Sequence, residues 1–197
     1  MDFIHDLYHY LSQGGLVMIP LILCSLTMWT LILDRMFYFY AIEHRDIELH
    51  RLTAVLREER VPVNRNGLTT HLVRYFLKHR TGDPFVDKRI LDECAMSMGP
   101  RLTRFLAVIA VLAAVSPLFG LLGTVTGMIT TFDVITLFGT GNARAMAGGI
   151  SEALVTTQSG LMVSIPGLFM SVLLFRRSAR AKAHLKEAVM MLKRSLQ

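Results

Sequence analysis

Three long apolar blocks, Gly15–Leu33, Phe105–Phe138 and Gly149–Phe175, restrict what this chain can fold into. Each supplies the roughly 20 apolar residues that a helix needs to cross about 30 Å of hydrocarbon. Water is missing at that depth, so the backbone must satisfy itself, and only helices or closed barrels do so. Barrel strands would alternate polar and apolar residues, which none of the blocks does. The expected fold is therefore an all-α membrane protein with three transmembrane helices. Composition agrees, because only 18% of the 197 residues are charged. A soluble domain of this size carries about a quarter.

The first block is read as a retained helix, not a signal peptide. Asp2 and Asp6 stand where a basic leader would be, no small-residue cleavage site follows, and Asp34-Arg35 closes it. Cys24 lies in that span and Cys94 in a polar stretch, so a disulfide between them is not expected. The formal charge of +6 is unevenly placed. Of the 21 Lys and Arg residues, all but Arg144 lie between Arg35 and Arg104 or in the tail after Phe175. Three spans put those two segments on one side, which is the positive-inside pattern. The N-terminus is then expected outside and the C-terminus inside. The charge is topological and calls for no nucleic acid.

This divides the chain into an outer interfacial amphipathic helix (residues 1–13), a first span (14–40), a long cytoplasmic helical loop (41–104), a second span (105–138), a short outer loop (139–148), a third span (149–175) and a basic amphipathic tail (176–197). Phe3, Leu7 and Leu11 set the first helix on one face, ahead of the Gly14-Gly15 turn. Trp29 and the Phe37–Tyr40 aromatics suit an interfacial belt. In the loop, Ile47, Leu52, Val55 and Leu56 repeat at helical spacing, as do Ile90, Leu91, Ala95 and Met98. Pro62, the Asn64–Gly67 run and Gly82-Asp83-Pro84 are expected breaks, and Gly99-Pro100 is expected to interrupt the approach to the second span. That span is too long for one crossing, since 34 residues rise roughly 50 Å, and so part of it must project or tilt. Leu185, Val189, Leu192 and Leu196 stripe the tail and call for a partner, expected to be a neighbouring helix of the same assembly.

Two further stripes lie inside the spans. Gly120, Thr124, Gly127 and Thr131 share one helix face, and Ala153, Thr157, Gly160, Ser164, Gly167 and Ser171 share another. Small residues permit close helix packing, and Gly123–Gly127 is itself a small-xxx-small pair. Repeated around an oligomer, the same faces would line a weakly polar cavity that admits water or a turning helix. Periodicity leaves both open. Pro20, Pro117 and Pro166 are expected kinks, and each of the last two frees a carbonyl one turn earlier. Asp133 and Glu152 fall toward the outer ends of their spans and Asp34 at an inner end. Glu152 either caps the first turn of its helix or admits protons beside Thr156. No Asp, Glu, His, Lys or Arg occupies the middle of any span, so a proton crossing here needs a mid-depth group from another polypeptide. No nucleophile–base set, phosphate loop or metal cluster is evident, and an enzyme is not expected.

Leu118–Thr131 (LFGLLGTVTGMITT) and Gly149–Gly167 (GISEALVTTQSGLMVSIPG) resemble the second- and third-helix signatures of the ExbB/TolQ proton-channel family, relatives of the MotA flagellar stator subunit. GGLVMIPLILCSL with Asp34-Arg35 resembles its first helix and Glu-Arg end, with Asp in place of Glu. The resemblance is most like an ExbB-type subunit. It implies a pentamer around a central pore in the inner membrane of a Gram-negative bacterium. Two helices of a single-span ExbD/TolR-type partner, which supplies the titrating aspartate, would stand in the pore. A TonB-like protein would be driven, with protons as the coupling ion and no other cofactor. Thr124 and Thr157 carry over as pore hydroxyls and Glu152 as the third-helix acid. With Thr131, Gly127, Gly160 and Ser164 they form the expected proton pathway. Gln158-Ser159 departs from the family, which more often has small apolar residues there. A TolQ-like or gliding-motor subunit, a packing scaffold and a passive channel are the alternatives.

Overall fold

The structure, a computed structural model, describes residues 14–44 and 67–196, with only the backbone given for Glu43 and His44. The expected helix at 1–13, the repeat at Ile47–Leu56 and the Pro62 and Asn64–Asn66 break lie outside the described residues. Five α-helices are present among those described: α1 (Met18–His44), α2 (Leu68–His79), α3 (Pro84–Thr103), α4 (Leu106–Phe138) and α5 (Ala143–Ser195). A single 3₁₀ turn, Gly139–Gly141, joins α4 to α5. Helices α1, α4 and α5 are long and apolar enough to cross a bilayer. The described residues pack as two units, and the chain passes between them after Ile32, Leu106 and Ser171.

The first unit holds α1 up to Ile32 with Ala107–Ser171. Its α4 and α5 run antiparallel, because Gly127 meets Gly149 and Ala153 while Ala113 meets Ser164 and Gly167. Helix α1 lies alongside α5, with Met18 near Thr156 by way of Gly14 and Met28 against Gly167. Met28, Ile32, Ile109 and Ala113 are wholly buried between them. Pro20 falls in the first turn of α1, where a helix has no ladder partner for an N–H, so it serves the helix start. Pro117 and Pro166 sit inside α4 and α5.

The second unit contains α2, α3, the later part of α1 and the tail of α5. Gly82 takes φ +85°, and Asp83 caps α3 by accepting the Phe85 N–H at 2.9 Å, with Pro84 at the first helical position. Asp87, 1% exposed, accepts both the backbone N–H of Thr81 at 2.9 Å and its hydroxyl at 3.0 Å, which locks the α2–α3 turn. Leu72, Val73 and Phe76 of α2 and Leu91 and Leu102 of α3 form the core. Burial pushes the Cys94 thiol above its ordinary pKa, with Arg101 opposing, and the thiol packs against Met98 at 3.9 Å. Helix α5 runs antiparallel to α3, tied by Ser178 to the Leu102 carbonyl at 2.9 Å and by Lys193 to Asp92 at 2.6 Å. The tail stripe therefore finds its partner in its own chain: Leu185, Val189 and Leu192 are buried in this unit, while Leu196 is only half-buried.

Gly99-Pro100 does not interrupt the chain, and Pro100 lies inside α3. Proline there leaves the Met96 carbonyl without its ladder bond, but Met96 is 79% exposed, so water can take the place of the missing donor. The break comes at Arg104–Phe105, where Phe105 takes φ +64°. A non-glycine residue in that region costs on the order of 1–2 kcal/mol and persists only where surroundings hold it. Arg35 does so. Its guanidinium, 7% exposed with the rest of the residue, donates through Nη1 to the Arg101 carbonyl at 3.2 Å and lies 5.4 Å from the centre of the Phe105 ring and 4.9 Å from that of Tyr38.

Candidate functional site

The two small-residue stripes meet each other along the α4–α5 seam. A Cβ added at Gly127 would lie 2.7 Å from the Gly149 carbonyl oxygen and 2.8 Å from the Ala153 nitrogen. At Gly160 it would lie 2.9 Å from the Ser116 oxygen and 3.0 Å from the Gly120 Cα. At Gly120 it would lie 3.1 Å from the Thr156 oxygen. These are backbone atoms, so glycine is what allows the helices to come so close. Gly127, Gly160, Ser164 and Thr131 are all buried in this seam. The Thr131 hydroxyl donates to the Gly127 carbonyl of its own helix at 3.0 Å.

Ser164 explains how the seam tolerates Pro117. Proline at 117 has no N–H to give the Ala113 carbonyl one turn earlier, and in hydrocarbon a bare carbonyl costs several kcal/mol. The Ser164 hydroxyl of α5 donates to that carbonyl at 2.8 Å. Ser164→Ala should therefore lower stability by about 1–3 kcal/mol, whereas in a Pro117→Ala background, with the ladder bond restored, the same change should cost under half as much. A double-mutant cycle on thermal unfolding in detergent measures the coupling. Equal costs in both backgrounds would remove the assignment.

Thr157 and Thr124 stand apart because both are only half-buried. The Thr157 hydroxyl lies 3.3 Å from the Gly120 carbonyl across the seam and 3.2 Å from the Ala153 carbonyl of its own helix. Thr124, one turn along α4 from Gly120, donates to the Leu121 carbonyl at 2.6 Å. Thr156, between these and α1, is buried and donates to Glu152 and Ala153 carbonyls at 3.0 and 2.9 Å. Gln158 is exposed beside Leu154, Leu161 and Met162, about ten residues into an apolar stretch. An amide at that position needs a polar neighbour or water.

Glu152 does not cap its own helix. Helix α5 already starts at Ala143, inside the stretch assigned to the outer loop, and so Glu152 lies in its third turn. Its carboxylate instead sits directly against Gly15, whose φ of +63° makes the turn into α1. There it lies at the positive end of the α1 dipole, beside the turn whose Gly15 and Leu16 carbonyls accept the N–H groups of Met18 and Ile19. Asp133 is exposed. Arg35 was legible in sequence only as half of a charged stop, although its company of aromatics, Phe37 to Tyr40, signals a stacked guanidinium.

Residues 58–187 match the MotA/TolQ/ExbB proton channel family. Among curated proteins, the chain is similar to the putative biopolymer transport protein ExbB-like 3 of Synechocystis sp., at 32% identity over 164 residues, covering 79% of this chain and 78% of that protein. A second similar protein is the putative biopolymer transport protein ExbB-like 1 of the same organism, at 31% identity, covering 78% of this chain and 64% of that one. The biopolymer transport protein ExbB of Pseudomonas putida is 27% identical over 186 residues, covering 88% of this chain. The chain spans 64% of the second relative's length and 56% of the third's.

Proposed function

Because this chain belongs to the MotA/TolQ/ExbB proton channel family and is of the ExbB type, we propose that it is the pore-forming subunit of a proton-driven motor that energises TonB-dependent outer-membrane transport. The working assembly is a pentamer in the inner membrane, with its N-terminus outside and its C-terminus in the cytoplasm. It surrounds two helices of an ExbD/TolR-type single-span partner, and a TonB-like protein receives the work. Protons are the coupling ion. The observation that carries the reading is the contrast within the spans. The glycines, Ser164 and Thr131 are consumed in the seam, but the hydroxyls of Thr124 and Thr157 lie at its open edge, and no Asp, Glu, His, Lys or Arg occurs at mid-depth.

Hydroxyls in that position can donate to a carboxylate that another chain brings past them, which favours its charged form; each such charge-assisted bond is worth about 1.5–3 kcal/mol. Exposed Gln158 suits a water-bearing path on the same helix. Glu152, held at the start of α1, and Asp133 are the acids toward the outer ends of these spans. Chain segments that place basic residues to one side of three spans support the orientation.

Thr124→Ala combined with Thr157→Ala should reduce energised uptake, and proton flux in vesicles holding the partner, by about tenfold or more. Insertion and oligomer size should be unchanged. Full flux and uptake in that variant would defeat the proposal. The tightness of the glycine seam favours one second reading, a scaffold whose stripes serve packing alone. In that case the double variant would lose assembly and activity together.

A further inference from the structure

The end of α3 and the tail of α5 bring five arginines to one level within the second unit, and three of them, Arg176, Arg177 and Arg180, share one face of α5 at i, i+1 and i+4. Ser178 of α5 donates to the Leu102 carbonyl at 2.9 Å, so Arg176, Arg177 and Arg180 come to the level of Arg101 and Arg104. All five are exposed. Among the described residues none of them forms an ion pair; the ion-paired cations Arg35, Arg80 and Lys193 use Asp34, Asp87 and Asp92. Arg104 lies 4.6 Å from the centre of the Phe105 ring, a stacking contact that steadies it without neutralising it.

Apolar side chains border this cluster. Val172, Leu173 and Phe175, immediately before Arg176, are 50%, 39% and 43% exposed. A soluble anion has no use for such a border. A phospholipid fits both parts, with acyl chains along the apolar side chains and the phosphate among guanidinium forks, which bind phosphate oxygens in pairs. The arginines stand where the apolar stretches of α4 and α5 begin and end, the depth at which a headgroup lies.

We infer that this cluster is a binding site for the headgroup of an anionic phospholipid, beyond a general preference of basic residues for one side of the membrane. The geometry is local, set by the face of α5 that Arg176, Arg177 and Arg180 share. It predicts selectivity that follows position and not total charge.

The test uses the full chain in detergent, with binding of phosphatidylglycerol compared with phosphatidylcholine of the same chain length by native mass spectrometry and by the shift in melting temperature. Wild type should prefer phosphatidylglycerol, and Arg177→Gln with Arg180→Gln should lower that preference by about tenfold. Lys186→Gln with Arg194→Gln, which removes the same charge farther along α5, should leave it nearly intact. Arg177→Lys with Arg180→Lys should keep part of it. If the Gln pair fails to insert, the wild-type preference at raised salt decides, since it should fall with ionic strength. Equal binding of the two lipids, or equal loss in the near and distant pairs, would overturn the inference. So would inorganic phosphate raising the melting temperature as much as phosphatidylglycerol, which would mark an anion site without lipid.

Discussion

Gly160→Val is expected to leave little folded protein. Its first added carbon would lie 2.9 Å from the Ser116 oxygen, 3.0 Å from the Gly120 Cα and 3.2 Å from the Gly120 nitrogen. None of these is the end of a flexible side chain, so only separation of α4 from α5 can relieve the clash. Overpacking in a core costs typically about 1–3 kcal/mol, and a clash with backbone belongs at or above the top of that range. Separation would also pull Ser164 from the Ala113 carbonyl and Thr157 from the Gly120 carbonyl. Gly160→Ala should fall between. Gly148→Val is the matched control, because nothing lies within 4 Å of a Cβ there. Yield of folded protein after extraction, with its melting temperature, should rank Gly148→Val near wild type, then Gly160→Ala, then Gly160→Val. A Gly160→Val protein that melts with wild type would show that the helices do not meet at this residue.

Arg35→Ala should be the most damaging change outside the spans' seam, at roughly 2–4 kcal/mol. A hydrogen bond to a charged donor contributes about 1.5–3 kcal/mol and a stacked, desolvated cation about 0.5–2. Arg35 offers both, through the Arg101 carbonyl and the rings of Tyr38 and Phe105. It also holds the left-handed turn at Phe105, which would otherwise relax. Arg35→Lys should recover less than half of the loss, because an ammonium is a point donor and lacks the planar face that stacks. The readout is melting temperature together with amide exchange at Leu102–Phe105, where protection should fall selectively. Lys193→Ala supplies the contrast. Its partner Asp92 is about half exposed, and an exposed pair is worth at most about 1 kcal/mol. Equal losses in the two variants would contradict the role given to Arg35.

The parts of the fold that sequence made legible are those fixed by local chemistry. Length and apolar content determine that α1, α4 and α5 can cross a bilayer, and Gly82-Asp83-Pro84 fixes the start of α3 through a turn and a cap. Neighbours were less legible. The periodicity that put Gly120, Gly127, Gly160 and Ser164 on stripes identifies a face without saying what covers it, and here two stripes of one chain cover each other. The tail leucines show the same limit, since their stripe called for a partner that proved to be the chain's own second unit. Gly99-Pro100 misled because α3 carries its proline as an interior residue and runs on to Thr103. The true break puts Phe105 in a left-handed conformation, held in part by Arg35 from 70 positions away. Glu152 was read against its own helix because the start of α5 could not be placed. Its neighbour Gly15 comes from the far end of the chain. The proposed pore role of Thr124 and Thr157 and the proposed partner acid rest on the family's pattern, which no single chain's packing contains.

The bond between Ser164 and the carbonyl freed by Pro117 gives the history of the two positions a direction. A lineage that first replaces Pro117 with an ordinary residue regains the ladder bond, and Ser164 then becomes free to drift. A lineage that first loses the hydroxyl must pass through an ancestor with a bare acceptor in oil. Homologues without the proline should therefore be varied at 164, and those keeping it should retain a donor there.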